Sequence, residues 1–425
     1  MNQQDLLPHF FRTEYRNLVA VLTRRFGTHQ LQAAEDLASE AFVAALDTWP
    51  YQGIPDNPTA WLYAVARNKA RNYQLRARHF SSRIAPDLMR VGETVSQPEE
   101  DLDLSAPYIA DSQLCMLFAV CHPALSSDAQ VALALRVLCG FGLEEIASAF
   151  LVSRETVHKR LTRARERLRE QRIPLDLPGR GELAARLETV LQTIYLLFSE
   201  GYYSECRDEV LREDLCLEAM RLASQLTENP LTDQPPARAL LALMCFHSSR
   251  FAARRDARGE LLLYGDQDPS RWNRELISRG VELLHQASRG DRLSTYHVEA
   301  AIAYWQTVRE DTAEKWCSLL QLYDQLLALR YSPVAALNRA WVVARLHGPE
   351  AALAELGPLE PVLAENPYYH ALMGELYGGL DKQAARDHFA RAYALARTGP
   401  DRAWMQRRLE QEYPGPPPAP GKRKA

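Results

Sequence analysis

The chain has 425 residues, 47% of them hydrophobic, and a formal net charge of −4, enough for two to four domains with cores of their own. An overall acidic balance excludes nucleic-acid binding through bulk charge, so any such function must come from local basic patches. Seven cysteines without regular spacing, no hydrophobic signal peptide at the start MNQQDLLPHF and no apolar run of membrane-spanning length predict a reduced, cytoplasmic protein with no membrane partner.

Leu, Ala, Arg and Glu dominate and alternating β-branched runs are nearly absent, so an all-α fold is expected. Phe10 to Phe26 reads as a first amphipathic helix, with Phe11, Tyr15, Leu18, Val19 and Leu22 on its apolar face. Residues 33–49, AAEDLASEAFVAALDTW, read as a second, burying Leu37, Ala41, Ala45 and Trp49 and exposing Asp36 and Glu40 one turn apart. Like charges at that spacing oppose each other slightly, a mild cost unless something basic docks there; alone, the pair is a solvated face. After the loop TWPYQGIPDN, Asn57-Pro58 caps and opens a third helix. From Asn57 to Pro86 there is no acidic residue, while Arg67, Lys69, Arg71, Arg76, Arg78 and Arg83 accumulate among Trp61, Tyr63, Asn68, Asn72 and Tyr73. Stacking surfaces set among phosphate-binding cations suit single-stranded nucleic acid, although Trp61 and Leu62 are also placed to anchor the loop before them.

Residues 84–112 carry Asp87, Glu93, Glu99, Glu100, Asp101, Asp103 and Asp111 against a single Arg90, with three prolines, and read as a flexible connector. Helices between Ser112 and Gly140 follow, with Leu114, Leu117, Phe118, Leu133, Leu135 and Val137 as core and Pro123 and Ser126 opening the second of them. Cys115, Cys121 and His122 have ligand chemistry but sit in the apolar run LCMLFAVCHP without a second ligand pair, so they read as buried core groups; no metal or cofactor is expected. The stretch from Leu143 to Arg169, LEEIASAFLVSRETVHKRLTRARERLR, has the pattern of a helix-turn-helix. Leu143, Ile146, Ala147 and Phe150 form one face of a short helix; Ser153 is an N-cap for the next, in which Val157, Leu161, Ala164 and Leu168 pack inward. Glu155, Lys159, Thr162, Arg163 and Glu166 then point outward, flanked by Arg154, His158 and Arg160, as reading a DNA major groove requires. The alternative is an amphipathic hairpin with a solvated basic face.

AEDLASEAFVAALDTW, then NPTAWLYAVARNKARNYQLRAR, and later TVHKRLTRARERL resemble, in order and spacing, regions 2 and 4 of an extracytoplasmic-function (ECF) sigma factor of bacterial RNA polymerase. The resemblance implies that Asp36, Ser39 and Glu40 dock on the clamp helices of core polymerase, and that the flap is a second contact. It implies that Tyr51, Asn57, Trp61, Arg67, Asn68, Lys69, Arg71, Asn72 and Arg76 bind the −10 element, with a flipped base near the loop 50–57. It assigns −35 recognition to Arg154, Glu155, His158, Lys159, Thr162 and Arg163. The acidic connector would thread the polymerase as a nucleic-acid mimic or serve only as a solvated link. Where many relatives have Gly in the turn of the helix-turn-helix, this chain has Leu151, so base preferences transfer least at that point.

An ECF sigma factor would end near Arg172, and this chain continues for some 250 residues of helical periodicity. Ser332-Pro333 and Asn366-Pro367 each open a helix pair, and their prolines are 34 positions apart, the tetratricopeptide (TPR) period. The segments SEGYY, LALMCFHSSR, GELLLYGDQDPSRW and PVAALNRAWVV resemble the extension of an ECF subgroup with a C-terminal TPR-type domain. That resemblance implies a regulatory role for the extension and a protein or peptide ligand on its concave face. The expected layout is region 2 over 1–80, an acidic flexible linker over 81–112, region 4 over 113–172, a helical extension over 173–290, TPR-like repeats over 291–412 and a disordered Pro-rich tail over 413–425.

The expected function is promoter recognition with core polymerase, without enzymatic chemistry. The competing readings are a helix-turn-helix regulator working without polymerase, for which the 33–79 motif has no use, and an adaptor or metal enzyme resting on Asp266 and Asp268 with Glu260 nearby. A polar hairpin tip ordered by Asx-type turns is the plain reading of those aspartates, and a core histidine that of His247, which has no carboxylate placed to complete a triad with Ser248.

Overall fold

The computed structural model describes residues 3–83, 102–150, 152–202, 212–254, 262, 267–290, 292–396 and 399–412. Among these residues there is no β-strand, and the fold is all-α, divided into two compact units, residues 1–196 and 197–425. The expected turn residue Leu151, most of the acidic connector, Asp266 with Glu260, and the Pro-rich tail lie outside the described residues.

In the first unit, α1 (Gln3–Phe26), α2 (Leu31–Gln52) and α3 (Pro58–Arg83) pack as a three-helix group. Leu18, Val19 and Leu22 of α1 and Ala41 and Ala45 of α2 are fully buried, as read from the sequence, and so are Leu62 and Ala66 of α3. The helix α2 runs past Trp49, through Pro50, to Gln52, so the expected loop from 50 to 57 shrinks to Gly53–Asn57. Proline is tolerated because it removes a single hydrogen bond in the last turn. Gly53, at φ +84°, then ends the helix, its N–H donating to the Trp49 carbonyl at 3.0 Å.

The connector also ends earlier than expected. The helix α4 (Ala106–Val120) takes in the connector's last seven residues, with Ser105 in extended backbone at the N-cap and Pro107 in the first turn. Asp103 accepts from the Ser105 N–H at 2.8 Å, and Asp111 pairs with Arg24 of α1, so these two acids hold structure in place. Beyond α4 come α5 (Ser127–Leu133), a π-helical turn at Ala134–Leu138, α6 (Leu143–Phe150), α7 (Arg154–Glu170) and α8 (Arg180–Tyr202). Ser126 opens α5 as expected. Leu114, Leu117, Phe118, Leu133, Leu135 and Val137 are all buried. So are Cys115 and Cys121, whose thiols burial pushes up to about 11 and about 12, which leaves them protonated and unreactive.

The second unit is built on α10 (Pro235–Ser248), which packs against α9 (Glu213–Glu228), α11 (Arg274–Ala287) and α12 (Thr295–Trp305). Every residue from Ala239 to Phe246 is buried, as a helix apolar all round demands. His247 rests against the Tyr202 ring at 4.7 Å between centroids, in a cluster with Phe198 and with Arg254, whose guanidinium lies 4.1 Å from the Tyr202 centroid. Burial, then Arg250 and Arg254, hold His247 well below the ordinary imidazole range. Asp268 accepts from the backbone N–H and hydroxyl of Ser270 at 2.9 and 2.8 Å, a local Asx turn.

Further helical hairpins follow: α13 (Ala313–Leu329), α14 (Pro333–His347), α15 (Pro349–Leu356), α16 (Glu360–Leu363), α17 (Pro367–Tyr377), α18 (Lys382–Leu395) and α19 (Gly399–Glu412). Both α14 and α17 start at the prolines 34 positions apart, capped by the side chains of Ser332 and Asn366. Leu337, Ala340 and Val343 of α14 share one core with Ala352, Leu356, Tyr369, Met373 and Leu376. A Cβ on Gly374 would come within 2.8 Å of the Phe389 ring, so α17 and α18 approach at a distance only glycine allows.

Candidate nucleic-acid and polymerase interfaces

The outward face of α2 carries Asp36 and Glu40, both exposed, with Ser39 half-buried between them. Gln32 donates to Asp36 at 2.9 Å, and the Ser39 hydroxyl donates to the Glu35 carbonyl at 2.8 Å. Continuing down the same face, Val43 is 55% and Leu46 62% exposed, beside exposed Asp47. Single exposed aliphatics are ordinary, but two in register with three carboxylates form an apolar strip rimmed by charge. The sequence reading passed over Val43 and Leu46; their place on the Asp36–Glu40 side of the 3.6-residue period was the available signal.

Exposed side chains gather on one face of α3: Arg67, Asn68, Arg71, Asn72 and Arg76 recur at i, i+1, i+4, i+5 and i+9. Lys69, half-buried and two turns before Arg76, pairs with Glu40 at 2.9 Å, joining residues expected to serve two different partners. The interleaved aromatics are largely taken by the core. Trp61 is half-buried, 5.5 Å from Trp49 edge to face. Tyr63 donates to Glu14 at 2.6 Å, its phenol raised by burial and that carboxylate, while Tyr73 packs on Phe26 and donates to Gln30 at 3.0 Å. Asn57 caps α3 by accepting from the Ala60 N–H at 3.0 Å. Tyr51, at the end of α2, is 88% exposed, and Ile54 is 48% exposed three residues on.

The second module forms as its sequence pattern predicts. Ser153 caps α7 through the Thr156 N–H at 3.1 Å, and Val157, Leu161, Ala164 and Leu168 are buried. Arg154, Glu155, His158, Lys159 and Arg163 are exposed, while Thr162 is half-buried. Two of the cations have acidic neighbours, Arg154 with Glu144 at 3.2 Å and Lys159 with Glu155 at 2.6 Å, exposed pairs that a phosphate can displace at small cost. Lys159, Arg160, Arg163 and Arg167 line an open groove of about 490 Å³ between α7 and α5, on which Asp128 pairs with Arg160 at 3.0 Å.

Sequence reading missed the carboxylate that ties the two modules together. Glu35, 2% exposed on α2, accepts from Arg165 of α7 at 2.8 and 3.0 Å, from Arg136 at 3.1 Å and from Tyr15 at 3.4 Å. Arg12 of α1 adds a pair with Glu145 of α6 at 2.7 Å, and the Thr28 hydroxyl donates to the Ile173 carbonyl. Buried charge of this kind is tolerated only when each lone pair is used. The signal was present: Glu35 lies on the stripe of Leu31, Ala34, Ala38 and Ala41, where a lone charge demands a buried partner.

Residues 10–80 match the family described as Sigma-70 region 2, and residues 115–168 match Sigma-70, region 4. Residues 186–288 match a family of unknown function, DUF6596. The RNA polymerase sigma factor YlaC of Bacillus subtilis (strain 168) is 28% identical over 171 residues, 40% of this chain and 94% of that protein. The uncharacterized protein R00370 of Rhizobium meliloti (strain 1021) is 37% identical over 384 residues, 89% of this chain and 90% of that one. No solved structure matches. No described helix is long and apolar enough to cross a membrane. The chain joins sigma-70 regions 2 and 4 to a long helical second part, and it belongs to one family with R00370.

Proposed function

We propose that this chain is an ECF-type sigma factor that binds core RNA polymerase in the cytoplasm, directs it to promoters and performs no chemistry itself. The observation that carries the reading is the presence of both sigma modules, in family order, over residues 10–80 and 115–168. On the first module, Asp36, Ser39 and Glu40 with Val43 and Leu46 form the docking strip for the clamp helices. The α3 face of Arg67, Asn68, Arg71, Asn72 and Arg76 follows the −10 strand by charge, Lys69 joins it by exchanging Glu40 for a phosphate, and Tyr51 offers its ring to an unstacked base. Trp61 and Asn57 support that surface by anchoring and capping α3. On the second module, the α7 residues Arg154, Glu155, His158, Lys159, Thr162 and Arg163 read the −35 duplex, with Arg160 and Arg167 over phosphates.

The second unit governs this activity as a TPR-like array that binds a protein or peptide, supported by its stacked hairpins and by the 34-residue spacing of α14 and α17. A regulator working without polymerase has no use for the region 2 match, which favours the sigma reading over that alternative. Run-off transcription with purified core polymerase on the DNA upstream of this chain's own coding sequence is the test. Full-length protein is expected to yield a discrete transcript, and a chain ended after Tyr202 a changed amount of it. No transcript from either would overturn the sigma reading; equal transcripts from both would remove the regulatory one.

A further inference from the structure

Within the second unit, α13, α14 and α17 enclose a groove of about 560 Å³. Its lining carries four cationic side chains, Arg250, Arg309, Lys315 and Arg345, against one carboxylate, Asp311, in a chain whose formal net charge is −4. That local inversion of sign selects for an anion. The cations differ in what holds them. Arg250 and Lys315 are buried, and Lys315 donates to the Val308 carbonyl at 2.5 Å. Arg309 is exposed, with its guanidinium 5.9 Å from the Trp272 centroid. Arg345 pairs with Asp311, which also accepts from the Trp316 indole N–H, and its guanidinium lies 5.1 Å from the Trp316 centroid.

The remaining wall is aromatic and amide. Trp341 is 40% exposed and Tyr368 47% exposed, both on the groove, although a folded protein gains by covering such rings. Asn338, exposed one turn before Trp341 and Val342 on α14, supplies an amide able to donate to and accept from a peptide backbone. Guanidinium forks match carboxylates, and exposed rings match large apolar side chains.

The geometry points to this groove as the binding site of an extended acidic peptide segment with at least one large apolar side chain, its carboxylates taken by Arg309 and Arg345 and its apolar group by Trp341 and Tyr368. This deepens the reading of the second unit as a partner-binding array and names the chemistry of the partner. Asp311 already shows the mode in miniature, one carboxylate serving Arg345 and Trp316 together. A peptide carboxylate competes for those donors, and salt weakens the exposed part of the attraction.

The test is a random array of 12-residue peptides probed with the full-length protein, followed by fluorescence anisotropy on the best binders. Bound peptides are expected to be net acidic and to contain Leu, Phe or Trp. Arg309→Glu and Trp341→Ala, both at exposed positions, are each expected to weaken the best binder at least tenfold, while thermal melting shows the fold retained. A bound set without acidic bias, no peptide above background, or affinities untouched by both substitutions would overturn the assignment. So would a DNA or RNA oligonucleotide that displaces the peptide and itself loses affinity in Arg309→Glu, which would give the groove to nucleic acid. Because the readout is peptide binding, it can fail while run-off transcription succeeds, and the reverse.

Discussion

Glu35 shows how much one buried carboxylate can determine. Its oxygens serve Arg165, Arg136 and Tyr15, so its removal strands two guanidiniums in a partly buried site. Breaking a buried ion pair by deleting one partner costs about 3–5 kcal/mol, and the partial access of water to Arg136 and Arg165, 24% and 16% exposed, places Glu35→Ala near the lower end, about 3 kcal/mol. Urea unfolding followed by helical circular dichroism should therefore show a lower midpoint for Glu35→Ala; an unchanged midpoint would contradict the role given to it. A second residue-scale expectation concerns protons. His247, His122, His297 and His388 all titrate below the ordinary imidazole range, burial being the first cause for each. With folded values depressed, the unfolded chain binds protons first as pH falls, so stability is full above about 6.5 and is lost as pH drops below it. Melting temperature should fall by several degrees between pH 7.5 and 5.5, and His247→Phe should flatten part of that dependence; an equally steep profile in the variant would remove His247 as a source.

At the scale of the element, patterns that report burial were legible and those that depend on a partner were not. The α7 helix was readable to its cap because Ser153 and the stripe Val157, Leu161, Ala164 and Leu168 are local signals. The end of α2 was misplaced because Pro50 looks like a breaker, although in a last turn it costs only one hydrogen bond. The start of α4 was missed because acidic residues suggest solvent, whereas Asp103 and Asp111 have local partners in Ser105 and Arg24. The aromatics of α3 looked available for stacking, but Trp49, Glu14 and Gln30 claim them, and sequence alone does not show which neighbour arrives. The cations of α7 do keep an open face. Arg163, exposed on the groove it shares with Lys159, Arg160 and Arg167, is expected to contribute about 1–3 kcal/mol to −35 duplex binding if it reads a base edge. For Arg163→Ala a gel-shift titration on the matching duplex should therefore show roughly tenfold weaker binding and relaxed preference at one base position. A loss equal on all sequences would make it a phosphate contact instead.

Across the whole molecule, charge is partitioned far more sharply than the net value of −4 suggests. The α2 strip is acidic, the α3 and α7 faces are basic, and the groove in the second unit is basic again. This partition lets several anionic and cationic partners be addressed by one chain, since exposed charges more than about 10 Å apart are largely screened from each other at ordinary salt. The pair of Glu40 with Lys69 joins the two surfaces on α2 and α3, and its exposure limits its worth to about 1 kcal/mol or less. Reversing the strip should therefore act on polymerase without unfolding the unit. Asp36→Arg combined with Glu40→Arg places like charge beside Lys69 but leaves the buried stripe of Leu37, Ala41 and Ala45 untouched. Core polymerase should no longer be retained in a pull-down by this variant, with its melting temperature within a few degrees of the original. Arg309→Glu, confined to the second unit, should be retained as before. If the α2 variant still bound core polymerase with undiminished affinity, the docking strip would have to lie on another face of region 2, and the exposed Val43 and Leu46 would lose their assigned partner.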